Sequence, residues 1–208
     1  MTAVFINSFI LFFVTIDTIG NLPFFLSLTE GAKIKKRNQI ALKSIIIAFF
    51  IMITFAYLGR YLLEAIHVSL DSLKIAGGVI LMFLAIDILF EKRKIRRENR
   101  VEVALDERYF DEITVFPIAF PFIAGPSALT TIILLIGNYA NFPEFQIPVI
   151  LALVAALIVS LVLMVGANFI IKYIPQQILH ATARVMAFIL AALATQFIID
   201  GIKASFNI

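Results

Sequence analysis

The sequence predicts an all-α membrane protein, with six transmembrane helices in two inverted three-helix repeats and the first helix of each repeat discontinuous. Three observations lead there. Hydrophobic residues fill 62% and charged residues 15% of the 208 positions, and the mean hydropathy of +1.02 exceeds what a soluble core of this size hides. About six apolar runs are long enough to cross ~30 Å of hydrocarbon at 1.5 Å per residue, and their length excludes the alternating strands of an outer-membrane barrel. Two of these runs, one in each half, contain helix breakers where a membrane helix should continue.

The spans fall at 2–28, 44–66, 73–90, 113–136, 147–171 and 185–202. The first lacks a basic leader segment and outruns the apolar core of a signal peptide, so it reads as a retained helix. It is interrupted at Asp17-Thr18-Ile19-Gly20-Asn21-Leu22-Pro23. Asp17 lies near the midplane, where a carboxylate should face the bundle interior, pair with donors or hold a proton. Capping of freed backbone N–H groups is its plainest role. Gly20 is suited to positive φ, Asn21 to left-handed backbone, and Pro23 to restarting a helix.

The second span has no interruption, and the third contains Gly77 and Gly78, read as close-packing positions. A linker at 91–112 follows, with seven basic and seven acidic residues. The fourth span repeats the break: Pro121 closes one half-helix and Gly125-Pro126-Ser127 opens the next, with Pro tolerated in a first turn. Such a half-helix turns its positive dipole end inward, where an anionic group binds. Ser127, Thr130, Thr131, Thr15 and Thr18 offer hydroxyls, each ordinarily bonded to its own backbone. Ala152, Ala156 and Ser160 in the fifth span, and Ala183, Ala187 and Ala191 in the sixth, are small residues at four-residue spacing that line packing faces. Gln196 and Asn168 lie deep enough to face a cavity or to bond between helices. Asp87 and Asp200 are interfacial.

The chain is one transmembrane domain, 1–208, with repeat one at 1–90 and repeat two at 113–208. Three crossings per half force similar halves to insert with opposite orientation. Thr18 and Pro23 match Pro121 and Pro126 in spacing, and Lys74-Ile75-Ala76-Gly77 matches Arg184-Val185-Met186-Ala187. Of the 17 basic residues, all but Arg60, Lys74 and Lys203 flank the odd loops, which places those loops in the cytoplasm and both termini outside.

Cysteine is absent, which removes disulfides and thiolate metal sites. His67 and His180 fall on opposite sides of the membrane and cannot share a metal. Phosphate-binding glycine loops are missing, so any energy comes from gradients, and neither a cofactor nor nucleic acid is implied.

Three segments together resemble the MarC family of bacterial and archaeal inner-membrane proteins. They are Asp17-Thr18-Ile19-Gly20-Asn21-Leu22-Pro23-Phe24-Phe25, Pro117-Ile118-Ala119-Phe120-Pro121 running into Ala124-Gly125-Pro126, and Ala191-Ala192-Leu193-Ala194-Thr195-Gln196-Phe197-Ile198. The family usually has Pro after the aspartate, where this chain has Thr18. That family includes a small neutral amino acid transporter. The resemblance implies six helices in inverted repeats, with substrate held between the two discontinuous helices.

The function expected is therefore secondary transport of a small zwitterion such as glycine or alanine, coupled to a proton or sodium ion. The binding residues expected are Asp17, Thr18, Gly20, Asn21, Pro23, Pro121, Gly125, Pro126, Ser127 and Thr130, with the lipid bilayer as the other partner. A membrane factor without transport activity leaves the paired breaks unexplained. An intramembrane hydrolase using Ser127 or Asp17 lacks a mid-membrane His to activate the serine. No enzymatic activity is expected.

Overall fold

The computed structural model describes residues 1–89, 104–171 and 176–206, and every regular element among them is helical. Outside the described residues lie most of the charged linker, Phe90 and Lys172, together with the side chains of Thr18, Asp87, Asn168, His180 and Ala183. The first span consists of α1 (Thr2–Ile16) and α2 (Thr18–Leu28), bent by 41°. Then come α3 (Ile34–Ala65) and α4 (Leu70–Leu89). In the second half, α5 (Ala104–Ile113) runs into an irregular segment, Thr114–Ile123, which turns by 58° into α6 (Pro126–Asn138). The chain finishes with α7 (Pro143–Ile171) and α8 (Gln176–Phe206).

Among the described residues, three helices are long and apolar enough to cross a membrane alone, within α3, α7 and α8, and the count reaches five if each bent pair is one span. Both bent pairs coincide with the predicted interruptions.

Helix α3 starts well before the expected 44–66, because its buried stripe continues backward. Leu63, Gly59, Ala56, Met52, Ala48, Ser44, Ala41 and Arg37 succeed one another at three- and four-residue steps, all buried. This corrects the reading of Arg37 as a loop charge. The residue is 4% exposed, and its guanidinium donates from Nε to Thr29 Oγ1 and from Nη2 to the Thr29 carbonyl, both at 3.0 Å. A cation at the last carbonyls of α2 is also favoured by the helix dipole. Tyr109 adds a hydroxyl donor to the Leu28 carbonyl at 3.2 Å, so α3 and α5 jointly hold the end of α2. Helix α5 takes up the last part of the charged linker, and its Asp111 pairs with Lys36 at 3.6 Å and Lys43 at 3.5 Å.

Helices α4 and α8 pack along their lengths, α1 packs on α7, and α3 packs on the Thr114–Ile123 segment, α6 and α7. The α4–α8 contact depends on two glycines. A Cβ at Gly78 would lie 2.7 Å from the Ala194 carbonyl oxygen, and one at Gly201 2.8 Å from the Asp71 carbonyl oxygen. On α8 the stripe facing α4 is Ala187, Ala194 and Gly201, all buried, whereas the predicted Ala191 is only half-buried. The α7 stripe of Ala152, Ala156 and Ser160 is fully buried as expected. Ser160 returns its hydroxyl to the Ala156 carbonyl at 2.9 Å.

Candidate substrate site at the paired breaks

In the first break the pivot is Asp17 itself, at φ 48° and ψ 50°. Among residues with a side chain, Asp and Asn tolerate this left-handed conformation best, because a short polar group can bond locally. Asp17 ends α1 by donating its N–H to the Val14 carbonyl at 3.2 Å. It then begins α2, its carbonyl accepting from the Asn21 N–H at 2.9 Å and its carboxylate from the Gly20 N–H at 3.2 Å. One residue caps both half-helices.

The roles expected of the following residues are corrected accordingly. Gly20 is helical and needs no positive φ; it must be small because the Asp17 carboxylate folds over it, with Oδ1 only 2.8 Å from where a Cβ would sit. Pro23 lies inside α2 rather than at its start, and Thr18 is the first residue of that helix. Asn21 is also helical, and its side chain does the structural work. Its Nδ2 donates to the Ile16 carbonyl at 2.7 Å and to the Phe122 carbonyl at 3.0 Å. The first of these is an orphan acceptor at the end of α1; the second belongs to the other break.

Around the second break, Phe116 and Phe120 adopt extended backbone, as residues preceding proline do, and interrupt the helical hydrogen bonding before Pro117 and Pro121. The Ala124 N–H reaches back to the Ala119 carbonyl at 2.9 Å. Helix α6 then starts with Pro126 in its first turn, as predicted. Ser44 of α3 fixes the beginning of the segment by donating to the Thr114 carbonyl at 2.8 Å. Gly125 sits at φ −74° and ψ 168°, open to any residue. Its requirement is steric, since a Cβ would stand 2.6 Å from the Pro121 carbonyl oxygen. Gly77, read from sequence as a packing glycine away from either break, packs its bare Cα face on the Pro126 ring, so α4 buttresses the second break directly.

A methyl group at Gly125 therefore has nowhere to go. Gly125→Ala is expected to lower stability by about 1–3 kcal/mol. Gly137→Ala, which meets nothing within 4 Å, is expected to stay within about 0.5 kcal/mol of the parent. Thermal unfolding of the two variants side by side in one detergent checks this.

The two breaks meet. Besides the Asn21–Phe122 bond, the Phe24 and Phe122 rings pack with centroids 5.4 Å apart. Pro121, Gly125 and Pro126 are buried, and Asp17 and Ser127 are half-buried. Thr130 does not reach across, because its hydroxyl bonds to the Pro126 carbonyl of its own helix at 2.8 Å. Thr15 does the same with Leu11. Gln196 lies on the outer surface of α8, bonded to Asp200 at 2.7 Å. Two clefts of about 400 Å³ lie elsewhere. One is lined by Arg60, Glu64, Ser69 and Asn138, where α3 and α6 end; the other is lined by Met1, Phe5, Ile147 and Leu151. Sequence reasoning missed Arg37, Thr29, Tyr109 and Ser44, although extending the α3 stripe backward would have found Arg37.

The model of the MarC family of integral membrane proteins matches residues 2–206. A UPF0056 membrane protein of Archaeoglobus fulgidus is 36% identical over 95% of this chain and 92% of its own length. A second, from Methanocaldococcus jannaschii, is 31% identical over 97% of both chains. The UPF0056 inner membrane protein YhgN of Escherichia coli is 28% identical over 95% of both. These names give a location and no activity. No solved structure matches. With the family model spanning nearly every residue, both breaks included, the chain belongs to the MarC family of integral membrane proteins.

Proposed function

We propose that this protein is a secondary transporter of small neutral amino acids such as glycine or alanine, which bind between the two breaks. The reading rests on the Asn21 amide, which ties the end of α1 to the Phe122 carbonyl and so joins two interruptions a hundred residues apart in sequence. Irregular backbone survives at membrane depth only where protein buries it or where it lines a cavity. Here protein buries it, in a state closed on itself. Substrate enters by taking over the polar groups that now satisfy one another. Its ammonium group meets the Asp17 carboxylate, and its carboxylate meets the first-turn N–H groups of α6 at Ser127 and Ala128, which have no partner within their own helix. Gly20, Gly125 and Pro126 keep the space small, and Pro23, Pro121 and Thr130 shape its walls. A proton or sodium ion couples at Asp17.

The packing supports six spans in two inverted repeats. The beginning of α3 is ion-paired to α5 through Asp111, whereas the end of α3 shares a cleft with the end of α6. On this reading the second and fourth spans run the same way, and α4, at 20 residues, is the segment assigned to the return between them. Exchanging the halves also preserves the helix pairs: α1–α7 trades with the packing of α3 on Thr114–Ile123, while α4–α8 and α3–α7 map onto themselves.

With the basic flanks in the cytoplasm, a reporter fused after the last residue is expected to read outside; a cytoplasmic readout contradicts both the six-span count and the inversion. Binding is tested by ligand-induced thermal shift of the purified protein. Glycine and alanine are expected to raise the unfolding temperature while aspartate and lysine leave it unchanged. A response to none of the small zwitterions counts against the site.

A further inference from the structure

We propose that the cleft where α3 and α6 end is an outer site for the same small zwitterion, and that Ile133, seated on Gly59, is the gate between it and the paired breaks. The inference deepens the transport reading and rests on it. The cleft holds about 400 Å³, within the range of small-molecule sites, and on the orientation read from the basic flanks it lies on the outer side of the membrane. Its rim carries both charges that a zwitterion needs. Arg60 and Glu64 stand one turn apart on α3, bonded from Nε to Oε1 at 2.8 Å, with both side chains largely exposed. An exposed pair of this kind contributes little to stability, so a carboxylate and an ammonium group replace the two partners at small cost. The floor is apolar, with Leu63 and Ile133 both buried, and suits a ligand whose own side chain is small. Ser69 adds a polar edge, although its hydroxyl is already engaged in accepting from the Ser72 N–H at 3.0 Å.

One face of α6 leads from this cleft to the second break. Pro126, Thr130, Ile133 and Gly137 follow one another at steps of four, three and four residues, which sets them on the same side of the helix. Pro126 opens α6 at the break and Gly137 lines the cleft, about 16 Å further along the axis. Gly137 has open space beside it and Thr130 is small. Ile133 is the single large side chain in the row. It lies so close to α3 that a Cβ at Gly59 would stand 2.9 Å from its Cδ1. The seam between α3 and α6 is thus shut by one flexible aliphatic side chain over a glycine, and rotation of that side chain, or a small separation of the two helices, opens the row to the cleft.

The chain has no cysteine, so a single introduced thiol reports on each position. In proteoliposomes, a membrane-impermeant thiol reagent added outside is expected to label Gly137→Cys quickly and Thr130→Cys, below the seal, slowly. Adding Ile133→Ala to Thr130→Cys is expected to speed its labelling about tenfold, because thiol reactivity follows access. Adding Ile132→Ala, also a buried position but about 100° round the helix, is expected to leave the rate unchanged. Equal rates in the two double variants overturn the gate, since loosened packing then accounts for both. Glycine is expected to slow the labelling of Gly137→Cys several-fold, and Arg60→Gln to abolish that protection without moving the unfolding temperature, because the pair it breaks is exposed. Glycine that raises the unfolding temperature of the parent but does not protect position 137 overturns the outer site and leaves the site at the breaks standing; glycine that does neither overturns both. Protection that follows the phosphatidylethanolamine content of the vesicles instead of glycine gives the cleft to a lipid headgroup with the same two charges, and overturns the proposal.

Discussion

Asn21→Leu is expected to destabilise the protein by about 2–5 kcal/mol. The substitution leaves two carbonyls, those of Ile16 and Phe122, without the donor that satisfies them, and each unpaired buried acceptor costs about 1–3 kcal/mol. The residue is 9% exposed, so water does not replace the amide cheaply. Leucine also lacks the planar group that reaches from one break to the other, and the Phe24–Phe122 contact loosens with it. Thr130→Val provides the contrast. The Thr130 hydroxyl serves a carbonyl within its own helix, and its loss is expected to cost under about 1 kcal/mol. Unfolding midpoints of the two variants measured against the parent check the difference; equal effects would mean the breaks are not held together through Asn21.

The second large effect is functional. Asp17→Asn keeps a side-chain oxygen for the Gly20 N–H and remains tolerant of the left-handed backbone, so the bend and the double cap should survive. What it loses is the charge. If Asp17 receives the substrate ammonium, removal of one charge-assisted hydrogen bond, about 1.5–3 kcal/mol, lowers uptake by about ten- to a hundredfold while the unfolding temperature barely moves. Asp17→Ala loses cap and charge together and is expected to lower both. Normal uptake by a well-folded Asp17→Asn variant removes Asp17 from the binding and coupling role.

The positions of the breaks are legible in the sequence because Pro and Gly clustered in mid-span free backbone groups that an unbroken membrane helix would keep paired. Their inner geometry is not. Gly20 is the intrinsically better left-handed residue, yet Asp17 takes that conformation because its side chain can then close over Gly20, a matter of local packing that propensity does not contain. Gly77 reads as a helix-packing residue and is one, but only the folded bundle shows that its neighbour is Pro126. Arg37 stands in a run of basic residues that reads as a membrane flank; its burial follows from its place on the α3 stripe. For Gln196 the depth can be read from hydropathy, but the direction it faces depends on which side of α8 meets α4, and that is decided by Ala187, Ala194 and Gly201.

Whether the joined breaks carry a small zwitterion across the membrane is decided by uptake of radiolabelled alanine and glycine into proteoliposomes, with and without an imposed proton or sodium gradient. Saturable accumulation above protein-free liposomes is expected, increased by one of the two gradients, inhibited by unlabelled small neutral amino acids and lost in Asp17→Asn. Uptake no greater than in protein-free liposomes under every gradient, from protein shown to be folded, would contradict a transport site at the breaks.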